Sequence, residues 1–65
     1  MIKIKRRIKV YEKFILGIKR IAFILRKGDE VVFRKIKGKV YVIVNNEKQY
    51  EISEEKKNKI LEINL

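Results

Sequence analysis

The chain has 65 residues, 46 % hydrophobic and 40 % charged, with a formal net charge of +10 and neither Cys nor His. Disulfides, thiolate zinc sites and imidazole chemistry are thereby excluded. The length allows one domain, residues 1–65; a chain this short buries only about 60 % of its unfolded surface, so its stability must come from dense aliphatic packing (twelve Ile, six Val, four Leu), from self-association or from a bound partner.

The first segment, residues 1–28, carries most of the charge: ten Lys/Arg against one acid, Glu12, give +9, whereas residues 29–65 carry eight Lys/Arg against seven acids and give +1. Within it, Ile4, Ile8, Tyr11, Ile15, Ile18, Ala22 and Leu25 follow a 4-3-4-3-4-3 spacing, widened by Phe14 and Ile21. That spacing predicts an amphipathic helix from about 4 to 26, with Lys5, Lys9, Lys13, Arg20 and Lys27 on the opposite face. Arg7 falls in the stripe, and Leu16, Phe23 and Ile24 fall outside it. Over residues 1–10 a strand competes equally: Ile2, Ile4, Ile8 and Val10 alternate with Lys3, Lys5, Arg7 and Lys9, a comb of cations about 6.6 Å apart broken only at Arg6. No N-cap residue in 1–16 marks a switch from strand to helix.

Lys27-Gly28-Asp29 is a break, because Gly accepts the left-handed conformation. The next 23 residues read as an antiparallel meander over 30–52. Its strands are Glu30 to Ile36, Val40 to Val44 and Lys48 to Ile52, its turns Lys37-Gly38-Lys39 and Asn45-Asn46-Glu47. Val40-Tyr41-Val42-Ile43-Val44 is apolar on both alternating faces, the pattern of a central strand covered on both sides. Ser53 reads as an N-cap for a helix over 54–63, with Glu54 and Glu55 at its positive end, Ile60, Leu61 and Ile63 docked on the sheet and Lys56, Lys57 and Lys59 near water. The expected fold class is thus α+β: a basic N-terminal helix, a three-stranded meander and a short C-terminal helix. The alternative is a small SH3-like β-barrel with a C-terminal helix, in which Ile21 to Leu25 pair with Val31 to Phe33 across the Gly28 turn.

Catalysis is not expected. Ser53 is placed as a cap, Asp29 and Glu30 point to opposite faces of a strand, and three isolated glycines make no phosphate cradle. No cofactor and no metal is expected. The basic start Met1 to Arg7 is followed by no small-residue cleavage site, and Phe14 to Leu25 is shorter than the roughly 20 apolar residues of a membrane span, so the expected location is the cytoplasm.

The electrostatics point to an anionic partner. Nucleic acid, foremost duplex DNA, is the first expectation, met by phosphate contacts from Lys3, Lys5, Arg6, Arg7, Lys9, Lys13, Lys19, Arg20, Arg26 and Lys27, with Phe23, Tyr11, Tyr41 or Tyr50 available to stack on a base. Docking to an acidic protein, or a homodimer seam through Leu16, Phe23 and Ile24, is the alternative. A membrane-surface helix is the third. In order of elements, helix, three strands, helix resembles double-stranded-RNA-binding domains, and Lys56-Lys57-Asn58-Lys59 looks like their basic cluster; Lys37-Gly38-Lys39 is shorter than the loop of that family and lacks its His. The barrel alternative resembles small basic archaeal chromatin proteins in element order, with no shared residue motif.

Overall fold

Alternation at period two, not helical spacing, governs both halves of the chain. The structure, a computed structural model, describes residues 1–13 and 17–65. It contains β1 (Ile2–Lys3), β2 (Ile8–Lys13), β3 (Lys19–Leu25), β4 (Glu30–Ile36), β5 (Lys39–Val44), β6 (Lys48–Ile52) and α1 (Glu54–Ile63). One antiparallel sheet has the order β1-β4-β5-β6, and β2 and β3 form a separate two-stranded ribbon.

The expected N-terminal helix is absent. Of the residues in the helical stripe, Ile4, Ile8 and Leu25 are buried, but Tyr11, Ile18 and Ala22 are exposed; Ile15, like Phe14 and Leu16, lies outside the described residues. The buried set is instead the alternating one. Ile8 pairs with Leu25 and Val10 with Phe23, and all four point into the core. The physical reason is composition: the segment is rich in Ile, whose β-branch is stiff in a helix and packs well on a pleated surface, and a helix would have left Phe23 outside. The strand reading of residues 1–10 matches the backbone, except that the chain bends at Arg6 and divides the comb between β1 and β2. The fold is therefore mostly β with one short helix. Nor is it the barrel: β3 pairs with β2, and Val31 pairs with Ile2 and Val44, so the Ile21–Leu25 to Val31–Phe33 pairing does not form and the two sheets do not close.

The second half forms the meander and helix at their expected positions. Ile36 pairs with Lys39, leaving Lys37 (φ 51°) and Gly38 (φ 79°) as a two-residue turn with both φ positive, the type that matches strand twist. Asn45 and Asn46 take φ 51° and 57° in the next turn, conformations Asn tolerates better than most residues. Ser53 Oγ accepts from the Lys56 N–H at 3.1 Å, capping α1.

The core lies between the meander, the ribbon and α1. Val31, Val40, Val42, Val44 and Ile52 supply one sheet face, Ile8, Val10, Phe23 and Leu25 the ribbon, Ile60 the helix, and Ile4 the connection between β1 and β2. Phe23 stacks on Tyr50 with ring centroids 4.2 Å apart and planes 8° apart, joining ribbon to sheet. Lys57 and Lys56 do not stand in open water. Lys57 Nζ lies 5.9 Å from the Phe33 ring centroid, and Lys56 Nζ donates to the Tyr11 carbonyl. The opposite face of the meander, with Val32, Tyr41 and Ile43, takes no part in this core, so β5 is covered on one side and not on two.

Candidate nucleic-acid interface

Two short connections cross between the sheets, and both are basic. Residues 4–7 lead from β1 to β2, and residues 26–29 lead from β3 to β4. They run side by side. At one end the Ile4 N–H donates to the Asp29 carbonyl and the Gly28 N–H to the Ile4 carbonyl, each at 2.8 Å. At the other end Ile8 pairs with Leu25, so Arg7, just before Ile8, and Arg26, just after Leu25, adjoin a paired couple. The connection carrying Lys5, Arg6 and Arg7 thus lies beside the one carrying Arg26 and Lys27. All five are exposed. Among the described residues none of the five takes part in a salt bridge; the pairs there are Arg20–Glu12 at 3.1 Å and Lys57–Glu54 at 3.8 Å.

Five residues fix this corner. Ile4, 1 % exposed, plugs into the core between Lys3 and Lys5. Buried Asn64, just past α1, holds both sides of that plug: its Oδ1 accepts from the Lys5 N–H at 2.8 Å, and its Nδ2 donates to the Lys3 carbonyl at 3.1 Å. Asp29 closes the second connection, accepting from the Arg26 N–H at 2.8 Å and from Asn45 Nδ2 at 3.1 Å. Asn45 in turn accepts from the Glu30 N–H at 2.9 Å, tying the corner to the turn between β5 and β6. Gly28 (φ 94°) supplies the left-handed residue this tight connection needs. The Arg26 N–H and the Asn45 amide hold the Asp29 carboxyl below its ordinary pKa against a smaller opposing effect of burial, and the Arg26 charge adds to the lowering. The single acid of the corner is thus ionised and already engaged.

The other predicted cations are placed elsewhere. Lys3 lies on β1 opposite Glu30. Lys9 is exposed mid-ribbon, opposite Ile24. Lys13 and Lys19 oppose each other near the ribbon end. Arg20 is engaged: its Nε donates to Glu12 at 3.1 Å. The ten cations therefore do not share one helix face; the fold gathers five and spreads the rest. Phe23 and Tyr50 are committed to each other, which removes them as base-stacking groups. Phe23 burial also removes the Leu16–Phe23–Ile24 seam, of which Leu16 lies outside the described residues. A bulge with Ala22 as the extra residue shifts the ribbon register between Val10 and Tyr11, and beyond it Tyr11 and Ile21 pair, both exposed.

Asn64, Asp29 and Asn45 were not among the predicted functional residues. Asp29 carried a signal, as the one acid beside the Arg26-Lys27-Gly28 run; Asn64 carried none, because its partners lie at the far end of the chain. A groove of about 410 Å³ between β2 and α1 mixes Lys9, Lys56 and Lys59 with Glu12 and Glu55, so it favours neither sign of ligand strongly. Among the described residues no group of acidic side chains could hold a metal ion, and no helix is long and apolar enough to cross a membrane. No family model, no curated protein and no solved structure matches the chain.

Proposed function

We propose that the protein binds nucleic acid, foremost duplex DNA, by seating backbone phosphates on the corner formed by Lys5, Arg6, Arg7, Arg26 and Lys27. The observation that carries the reading is that these five exposed cations lie on two adjacent, tightly fixed connections and, among the described residues, take part in no salt bridge. Held together, like charges repel, and a polyanion relieves that repulsion while releasing its own condensed counterions. Three of the five are Arg, whose planar fork suits phosphate oxygens. Anchoring by Ile4, Asn64 and Asp29 fixes the backbone beneath the side chains before binding, which lowers the ordering cost on association. Lys9 on the ribbon, also exposed, extends the same positive field.

Fluorescence anisotropy with a labelled duplex tests this. Three to five phosphate contacts predict a log–log salt slope of about −3 to −5. Arg7→Glu and Arg26→Glu should each weaken binding and flatten the slope by about one. A flat salt response, or reversals at the corner that change nothing, would overturn the proposal. Equal binding to an acidic polypeptide with no dependence on nucleic acid would transfer the site to a protein partner. The membrane-surface reading loses its basis, since it required an amphipathic helix where β2 and β3 stand.

A further inference from the structure

We infer that the outer face of the four-stranded sheet is a homodimer interface, on which two copies stack face to face about a two-fold axis parallel to the strands. The inference does not depend on nucleic-acid binding. Register places two rows across this face: Val32, Ile43 and Gln49, and beside it Arg34, Tyr41 and Glu51. Val32 and Ile43 of the first row meet Met1, 79 % exposed, in a shallow hollow of about 220 Å³ that Glu30, Asn45 and Asn46 complete. Ile36, 42 % exposed, extends the apolar strip past the second row. Val32, Tyr41 and Ile43 are half-buried by their neighbours alone and belong to no core, although β-branched and aromatic residues at the centre of a sheet are most stable when a second layer covers them.

Charge selects the occupant and its orientation. Arg34 and Glu51 flank Tyr41 on opposite sides, one strand spacing each, about 10 Å apart in all. Both are exposed, and neither has an ion-pair partner among the described residues. A two-fold axis along the strands exchanges left and right across the row. It sets Arg34 of each copy over Glu51 of the other, with Tyr41 on Tyr41 and Ile43 on Ile43, an isologous contact whose two ion pairs flank an apolar centre; Lys39, exposed at the end of the same face of β5, meets its own copy at the rim, where both long side chains can turn to solvent. An axis across the strands would set Arg34 on Arg34 and Glu51 on Glu51 and is disfavoured. Stacked sheets of this kind pack about 10 Å apart. The chosen axis also keeps strand ends in register, so the basic corners of both copies, which adjoin the Glu30 end of β4, emerge at the same end of the dimer. Three full strands of five to seven residues make a small face, at the low end of specific interfaces, the class of weak and reversible contacts.

Sedimentation equilibrium of the full chain, from about 10 to about 500 µM at moderate salt, is the test, spanning the range expected of small interfaces. The wild type should dimerise. Arg34→Glu and Glu51→Arg should each raise the dissociation constant about tenfold or more, and the double exchange Arg34→Glu/Glu51→Arg should return it to within about threefold of wild type. Tyr11→Glu, on the ribbon, should leave it unchanged. A monomer across the whole range overturns the inference. So does a dimer indifferent to both reversals, a double exchange no better than the worse single, or dissociation by Tyr11→Glu. Circular dichroism establishes that each variant folds; where a reversal does not, Arg34→Ala and Glu51→Ala complete the same cycle with smaller changes.

Discussion

Replacing Asn64 by Ala should uncouple the basic corner from the rest of the protein without altering its charge. The side chain makes two hydrogen bonds to backbone, accepting from Lys5 N–H and donating to Lys3 C=O. Each such bond contributes about 1 kcal/mol, and a buried group left without a partner costs somewhat more, so the pair is worth about 2–3 kcal/mol at this buried side chain. In a domain of this size 1 kcal/mol moves the thermal midpoint by about 4–8 °C, so the midpoint should fall by about 10–20 °C. Circular dichroism melts at neutral pH measure it, with Leu65→Ala, at a residue 87 % exposed, as the neighbouring control. Amide exchange at Lys5 should accelerate by more than exchange in β5. An Asn64→Ala midpoint within about 2 °C of wild type, less than half of what a single hydrogen bond predicts, would refute the claim that these bonds hold the corner.

Asp29 gives a pH-dependent prediction. Its folded-state pKa is depressed below the ordinary 3.8. Its contribution is therefore complete above that value and is lost as pH falls through the folded value; Asp29→Asn should show a shallower loss of midpoint in acid than wild type, with a cost of about 1 kcal/mol at neutral pH for the weakened acceptor. Phe23→Ala removes a buried ring and its stack on Tyr50, and the expected loss of about 3–5 kcal/mol is enough to leave the domain largely unfolded at 25 °C by urea titration. Lys37→Asn places a residue suited to positive φ in the β4–β5 turn and should raise the thermal midpoint by about 2–4 °C, corresponding to about 0.5 kcal/mol.

The carboxyl half was legible because its signals are local. Gly38, the Asn45-Asn46 pair and Ser53 each dictate a turn or a cap through their own backbone chemistry, and alternation across 31–44 can be satisfied by neighbouring strands. The amino half misled because seven apolar residues happened to fall at helical spacing, while the feature that decided the structure, the pairing of Ile8 with Leu25 and Val10 with Phe23, links residues 13 to 17 positions apart. The alternation of Ile2, Ile4, Ile8 and Val10 was the correct signal, and the absence of any N-cap agreed with it. The charge excess was legible as an amount but not as an arrangement. Which cations converge depends on two chain crossings that no sequence window contains, and on Asn64, whose partners lie 59 and 61 positions away.

That last separation has a consequence for when the protein becomes competent. Closing a contact across almost the full length of the chain comes late, after the hairpins have formed. The ten cations of residues 1–28 have no fixed arrangement until Asn64 docks on the backbone at Lys3 and Lys5. Before that the segment is a loosely charged polymer, attractive to any polyanion nearby, and the docking of Asn64 converts that general attraction into a shaped surface.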